Sequence, residues 1–145
     1  MAVLVDTNIL LRLTQKSYPQ SAEALKAVNA LSLAGKQLVI TSQNFVEFWA
    51  VATRPGNANG LNLTPEQAFV ELSDFEQLVD LLPELPVHDE WDYLVKKYRV
   101  SGKSVHDARL VAAMIVNGIG SILTFNGPDF ARYGEIAVLD PALVS

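Results

Sequence analysis

The feature that most constrains the fold is an apolar run at the start of the chain, Val3-Leu4-Val5, which stops abruptly on Asp6-Thr7-Asn8. A continuous apolar run, as opposed to an alternating one, marks a strand covered on both faces, as in a parallel sheet between helical layers. Leu38-Val39-Ile40 has the same character and closes on Thr41-Ser42. Ser121 to Phe125 gives a third strand, leading into Asn126-Gly127-Pro128-Asp129. Between and beyond these runs, apolar spacing and breakers predict helices over Ile9 to Thr14, Ser21 to Ala34, Gln43 to Thr53, Pro65 to about Asp80, His88 to Tyr98 and Ser104 to Asn117. Pro83 inside Leu81 to Leu85 predicts an edge strand there, and Ile136 to Leu139 predicts the last strand. Strands alternating with helices predict one α/β domain over residues 1–145, built on a parallel sheet.

The size and charge narrow the function classes. A chain of 145 residues can bury roughly two thirds of the surface its unfolded form exposes, so it needs no disulfide or structural metal to fold. Cysteine is absent, which excludes disulfides, thiolate catalysis and cysteine-zinc sites. No apolar run approaches the ~18 residues that span a bilayer, and the start lacks a basic leader, so a cytoplasmic protein with no membrane association is expected. Eleven Lys plus Arg against sixteen Asp plus Glu give a net charge of −5. That sign opposes nonspecific binding to polyphosphate, so any contact with nucleic acid must be local or metal-assisted.

Parallel strands place their carboxyl ends on one edge of the sheet, where ligands of open α/β sheets bind. Asp6 follows the first strand, Glu47 lies in the helix after the second, and Asn126 and Asp129 follow the strand ending at Phe125. Each acid has a structural alternative. Asp6, Thr7 and Asn8 are all types that cap a helix. Glu47 lies in Phe45-Val46-Glu47-Phe48-Trp49-Ala50-Val51-Ala52, and a helix so apolar is expected to be largely buried. A buried carboxylate survives when it is paired or metal-bound, and its helical neighbours Gln43, Asn44, Ala50 and Val51 offer no cation. The other reading is a helix rotated so that Glu47 reaches water. Asp107 completes a capping-box pattern, Ser104-Val105-His106-Asp107, a role that can coexist with facing a cleft. Asp129 is also a turn residue or the cap of a short helix over Phe130 to Tyr133, and Asn126 stands in Asn-Gly, a frequent turn pair. Lys96, Lys97, Arg99 and Lys103 gather where cations answer the helix dipole, or where they can hold phosphates beside Asp107.

Several carboxylates together repel one another unless a divalent ion compensates. Oxygen ligands suit Mg²⁺ or Mn²⁺, in one or two ions, while two separated histidines give zinc little support. Gly102-Lys103-Ser104 is not the tail of a P-loop, because Lys97 stands where that loop needs glycine. Asn8 likewise occupies the place of the second aspartate that a haloacid-dehalogenase-type phosphatase requires.

Asp6-Thr7-Asn8, Glu47 within Asn44-Phe45-Val46-Glu47-Phe48, Asp107 opening an alanine-containing apolar helix, and Thr124-Phe125-Asn126-Gly127-Pro128-Asp129-Phe130 together resemble the PIN domain family. More narrowly, they resemble the VapC-type toxin ribonucleases. The resemblance implies a three-layer α/β/α sandwich with a mainly parallel central sheet, whose acids hold Mg²⁺ or Mn²⁺ and hydrolyse RNA. It maps directly onto Asp6, Glu47 and Asp107. Asn126 stands where many members carry aspartate, leaving Asp129 as the substitute fourth ligand. Asp6 is then the central ligand, Thr7, Asn8 and Asn126 orient ligands or water, and Lys103 holds substrate, in a metal-assisted attack of water on the phosphodiester. The resemblance also implies an antitoxin protein and a homodimer, for which Trp49 or Trp91 could serve if they are not core. A metal-dependent phosphohydrolase of small esters and a catalytically silent binding module are the other readings of the same acids.

Overall fold

Successive side chains of a strand point to opposite faces, so an apolar run between two helical layers must divide its residues between two cores. A computed structural model describes residues 1–145. The chain runs β1 (Ala2–Val5), α1 (Thr7–Thr14), α2 (Pro19–Leu33), β2 (Gln37–Ile40), α3 (Ser42–Thr53), α4 (Pro65–Glu76), β3 (Asp80–Leu81), α5 (His88–Lys97), α6 (Val105–Val116), β4 (Ser121–Leu123), α7 (Gly127–Phe130) and β5 (Ala137–Leu139). Val3, Val5, Leu38, Ile40 and Leu123 enter one core, with Leu10, Val28, Phe48 and Phe75 from α1 to α4. Leu4, Val39 and Ile122 enter the other, with Leu94, Val111, Met114 and Phe130 from α5 to α7. The result is the three-layer α/β/α sandwich.

The sheet has five strands in the order β3-β2-β1-β4-β5, every neighbouring pair parallel. Leu4 is in register with Val39 on one side and Ile122 on the other. From β1 the chain builds outward through β2 and β3, then returns to build the other side through β4 and β5. The strand order therefore reverses between β1 and β4, and the crevice beyond their carboxyl ends is where such sheets bind ligands.

Some boundaries differ from the sequence-based expectation. α4 stops at Glu76 because Asp80 is drawn into the sheet opposite Val39. The edge strand β3 is shorter than Leu81 to Leu85: the N–H of Leu82 makes one further bond to the Ile40 carbonyl at 2.8 Å, and Pro83 has no N–H with which to continue. β4 ends at Leu123, and the following helical turn begins at Gly127, enclosing Asp129. α3 is less buried than its composition predicts. Only Asn44, Phe48 and Ala52 are buried, and Val46 is 69% exposed, because α3 lies in an outer layer and buries a single stripe. Trp49 and Trp91 are both partly buried against the cores. No helix is long and apolar enough to cross a membrane.

Candidate active site

β1 delivers Asp6 to the crevice beside β4, where its N–H donates to the Leu123 carbonyl at 3.0 Å. Asp6 is only 7% exposed. Its carboxylate accepts from the N–H of Thr7 at 2.7 Å, the hydroxyl of Thr124 at 2.8 Å and Nδ2 of Asn8 at 3.3 Å. Asp6 does cap α1, which starts at Thr7, but the cap is one contact of three. Thr124 is a buried hub: its hydroxyl gives its proton to Asp6 and accepts from Asn8 Nδ2 at 3.1 Å and the Asn126 N–H at 2.9 Å. One proton and two lone pairs are then all in use.

α3 begins with a formed capping box between Thr41 and Asn44. Fully buried Asn44 donates through Nδ2 to the Thr7 hydroxyl at 3.0 Å, and that hydroxyl donates to Glu47 Oε2 at 3.1 Å. Gln43, one helical turn before Glu47, donates to Oε1 at 3.0 Å. Both oxygens of the partly buried Glu47 are thus held by neutral donors. The two ion pairs of the chain, Lys96–Asp92 and Lys97–Glu135, lie elsewhere.

The capping box at α6 does not form. Ser104 ends a short 3₁₀ turn from Gly102 with φ −63° and ψ −14°, already helical, so its side chain does not cap. An N-cap side chain needs extended backbone to reach back to the N3 amide. Asp107, in the first turn of α6, is half-buried and free of that duty. Asp129 is exposed on α7, and Asn126 is exposed at the start of α7 with no capping bond from its side chain. Lys103 is exposed in the 3₁₀ turn, while Lys96 and Lys97 are engaged with Asp92 and Glu135.

Burial is the largest cause pushing the Asp6 carboxyl up, to about 6, against the hydrogen bonds from Thr124 and Thr7; the charges of Glu47 and Asp107 push it the same way. Burial also raises Asp107, reinforced by Asp129 and Glu47 and opposed by His106 and Arg132. The four acids therefore share one electrostatic neighbourhood. No three of them converge closely enough to hold an ion jointly in this arrangement. The donor set is all oxygen, which fits a hard divalent cation that would relieve both repulsion and burial.

A consequence for stability follows from Asp6. Its folded value of about 6 lies above the ordinary 3.8, so between those values the native state binds more protons than the unfolded one and stability falls as pH rises. The metal-free protein is expected to lose about 3 kcal/mol to Asp6 ionisation by pH 7. Urea melts at pH 4 and pH 7 should show the gap between wild type and Asp6→Asn shifting by that order in favour of the variant; a pH-independent gap would contradict it.

Thr124, Asn44 and Gln43 escape sequence reasoning. Thr124 and Gln43 leave a trace, a hydroxyl just past a strand end and an amide at i−4 to an acid, but their partners lie as far as 118 residues away.

The PIN domain family model matches residues 3–136. No curated protein matches in sequence. Among solved structures, the chain is similar to VapBC2 from Rickettsia felis bound to a DNA fragment from their promoter, at 15% identity and TM-score 0.74, covering 97% of this chain and 98% of that one. It is similar to a toxin-antitoxin complex from Klebsiella pneumoniae, at 21% identity and TM-score 0.63, over 96% and 97%. It also matches Mycobacterium tuberculosis VapC20, a sarcin-ricin loop cleaving toxin, at 18% identity and TM-score 0.64, over 92% and 98%.

Proposed function

As the chain belongs to the PIN domain family, we propose that it is a Mg²⁺- or Mn²⁺-dependent endoribonuclease and the toxin of a type II toxin–antitoxin pair. The observation that carries this reading is the buried, cation-free carboxylate Asp6 at the switch point of a parallel sheet, sharing its field with Glu47 and Asp107. Asp6, Glu47, Asp107 and Asp129 would hold the metal. A divalent ion bound there supplies the Lewis acidity that makes water a nucleophile near neutral pH and stabilises the leaving oxygen. The protein's own part is to hold the ligands still. Thr124, Asn8 and the Thr7 amide fix Asp6, and the Thr7 hydroxyl with Gln43 fixes Glu47. Lys103, Arg109 and Arg132, all exposed near Asp107 in sequence or field, are the local cations that position phosphates on a chain whose net charge is −5.

The reading carries with it an antitoxin partner and a homodimer. Phe69 and Val70 on α4 and Val46 on α3 are large apolar side chains left exposed, and exposed apolar surface of that kind suits a protein partner.

The test is incubation of the purified chain with RNA and with a generic phosphoester, each under Mg²⁺, Mn²⁺ and chelator. Discrete new RNA ends that vanish with chelator, and little ester hydrolysis, are expected. Comparable turnover of the ester would favour the phosphohydrolase, and no divalent binding at millimolar concentration would favour the silent module.

A further inference from the structure

The side-chain amide of Gln43 has three partners beyond its own backbone. Nε2 donates to Glu47 Oε1 at 3.0 Å and to the His106 carbonyl at 3.0 Å, while Oε1 accepts from Arg109 Nη1 at 2.9 Å. The two groups facing the nitrogen are acceptors only, and the guanidinium is a donor only. One orientation of the amide satisfies all three. Turned by half a rotation, it would set its oxygen against the Glu47 carboxylate and its NH₂ against a cation. Arg109 therefore reinforces, from the oxygen side, the orientation that Glu47 and the His106 carbonyl demand of the NH₂.

The same amide joins the two layers. Glu47 belongs to α3, on one face of the sheet, and His106 immediately precedes Asp107 on α6, on the other. Gln43 thus spans the edge of the sheet between the helices that carry two of the acids. Arg109 is exposed, and neither ion pair of the chain uses it.

We propose that Gln43, locked by Arg109, is a positioning residue that sets the Glu47 carboxylate and its spacing from Asp107, so that divalent affinity depends on an arginine that touches no acid. The inference rests on the metallonuclease reading above.

The experiment is calorimetric titration of Mn²⁺ into the full chain as wild type, Gln43→Met, Arg109→Met, Arg109→Lys and the double methionine variant. Methionine keeps the length and helix preference of glutamine without its hydrogen bonds. Gln43→Met is expected to weaken Mn²⁺ about 10-fold, the lower end for groups that orient ligands. Arg109→Met should weaken it in the same direction, and Arg109→Lys, which retains a donor, should recover part of the loss. The double variant should be no weaker than Gln43→Met, because Arg109 acts through Gln43. In cleavage assays of Gln43→Met, which removes no cation, the Mn²⁺ requirement should rise while KM for RNA at saturating metal stays within about two-fold. Unchanged Mn²⁺ affinity in Gln43→Met, or losses that multiply in the double variant, would overturn the positioning role alone. Wild type that binds no Mn²⁺ would overturn the metallonuclease reading and this inference with it.

Discussion

Asp6→Asn is expected to lower metal-dependent RNA cleavage by about 1,000-fold or more, corresponding to some 4 kcal/mol of transition-state stabilisation. The size follows from its place in the proposed site. Asp6 is the most buried of the four acids, and the only one whose surroundings are closed on several sides by Thr7, Asn8 and Thr124. An amide has nearly the same shape, so the fold should persist. Its NH₂ must, however, face Asn8 Nδ2 and the Thr124 hydroxyl, both of which donate to Asp6, so Thr124 can accept it only by giving up one of the donors it already holds. The folded variant should show unaltered circular dichroism and, without metal above pH 6, a melting temperature no lower than wild type. Cleavage that survives the substitution would remove Asp6 from the chemistry. In cells, growth arrest and new RNA ends should accompany wild type and be missing with Asp6→Asn.

The second large effect concerns the support beneath Glu47. Phe48 is fully buried and meets Phe75 edge to face at 5.3 Å, tying α3 to α4. Phe48→Ala is expected to destabilise the protein by about 3–5 kcal/mol, the sum of lost transfer energy and the cavity left behind. That is a large share of the roughly 5–15 kcal/mol that holds a typical domain folded. Urea denaturation should show the midpoint falling with little change in slope. Phe48→Leu, which keeps most of the volume, should cost less than half as much; equal losses would mean that packing at this position is not what anchors the helix.

The sheet was legible because its code is local. Val3-Leu4-Val5 and Leu38-Val39-Ile40 declare buried strands without reference to any partner, and Pro83 marks an edge by its missing donor. Asp6, Glu47 and Asp107 were legible as candidates from equally local signals: Asp6 ends an apolar run, Glu47 interrupts one and Asp107 opens one. What could not be read was which partner each would find. The Ser104-to-Asp107 pattern has the right residues for a capping box, but Gly102, at φ +61°, turns the chain into a 3₁₀ turn that makes Ser104 helical before α6 begins. α3 reads as buried all round because composition does not say that helices cover it on one side only. Gln43 is a polar residue on a helix until α6 brings His106 and Arg109 to it across 63 and 66 residues. Thr124 and Asp6 meet across nearly the whole chain.

That last separation has a temporal meaning. β1 is the middle strand, yet one of its two neighbours, β4, is made only after all of α1 to α6. Asp6 leaves the ribosome well before Leu123 and Thr124, and must wait for them before its amide and carboxylate find their partners. Pairing between such distant segments comes late and closes a long loop. A nascent or truncated chain ending before β4 has Asp6 but lacks the groups that hold it, so an organised site arrives only once β4 has been made.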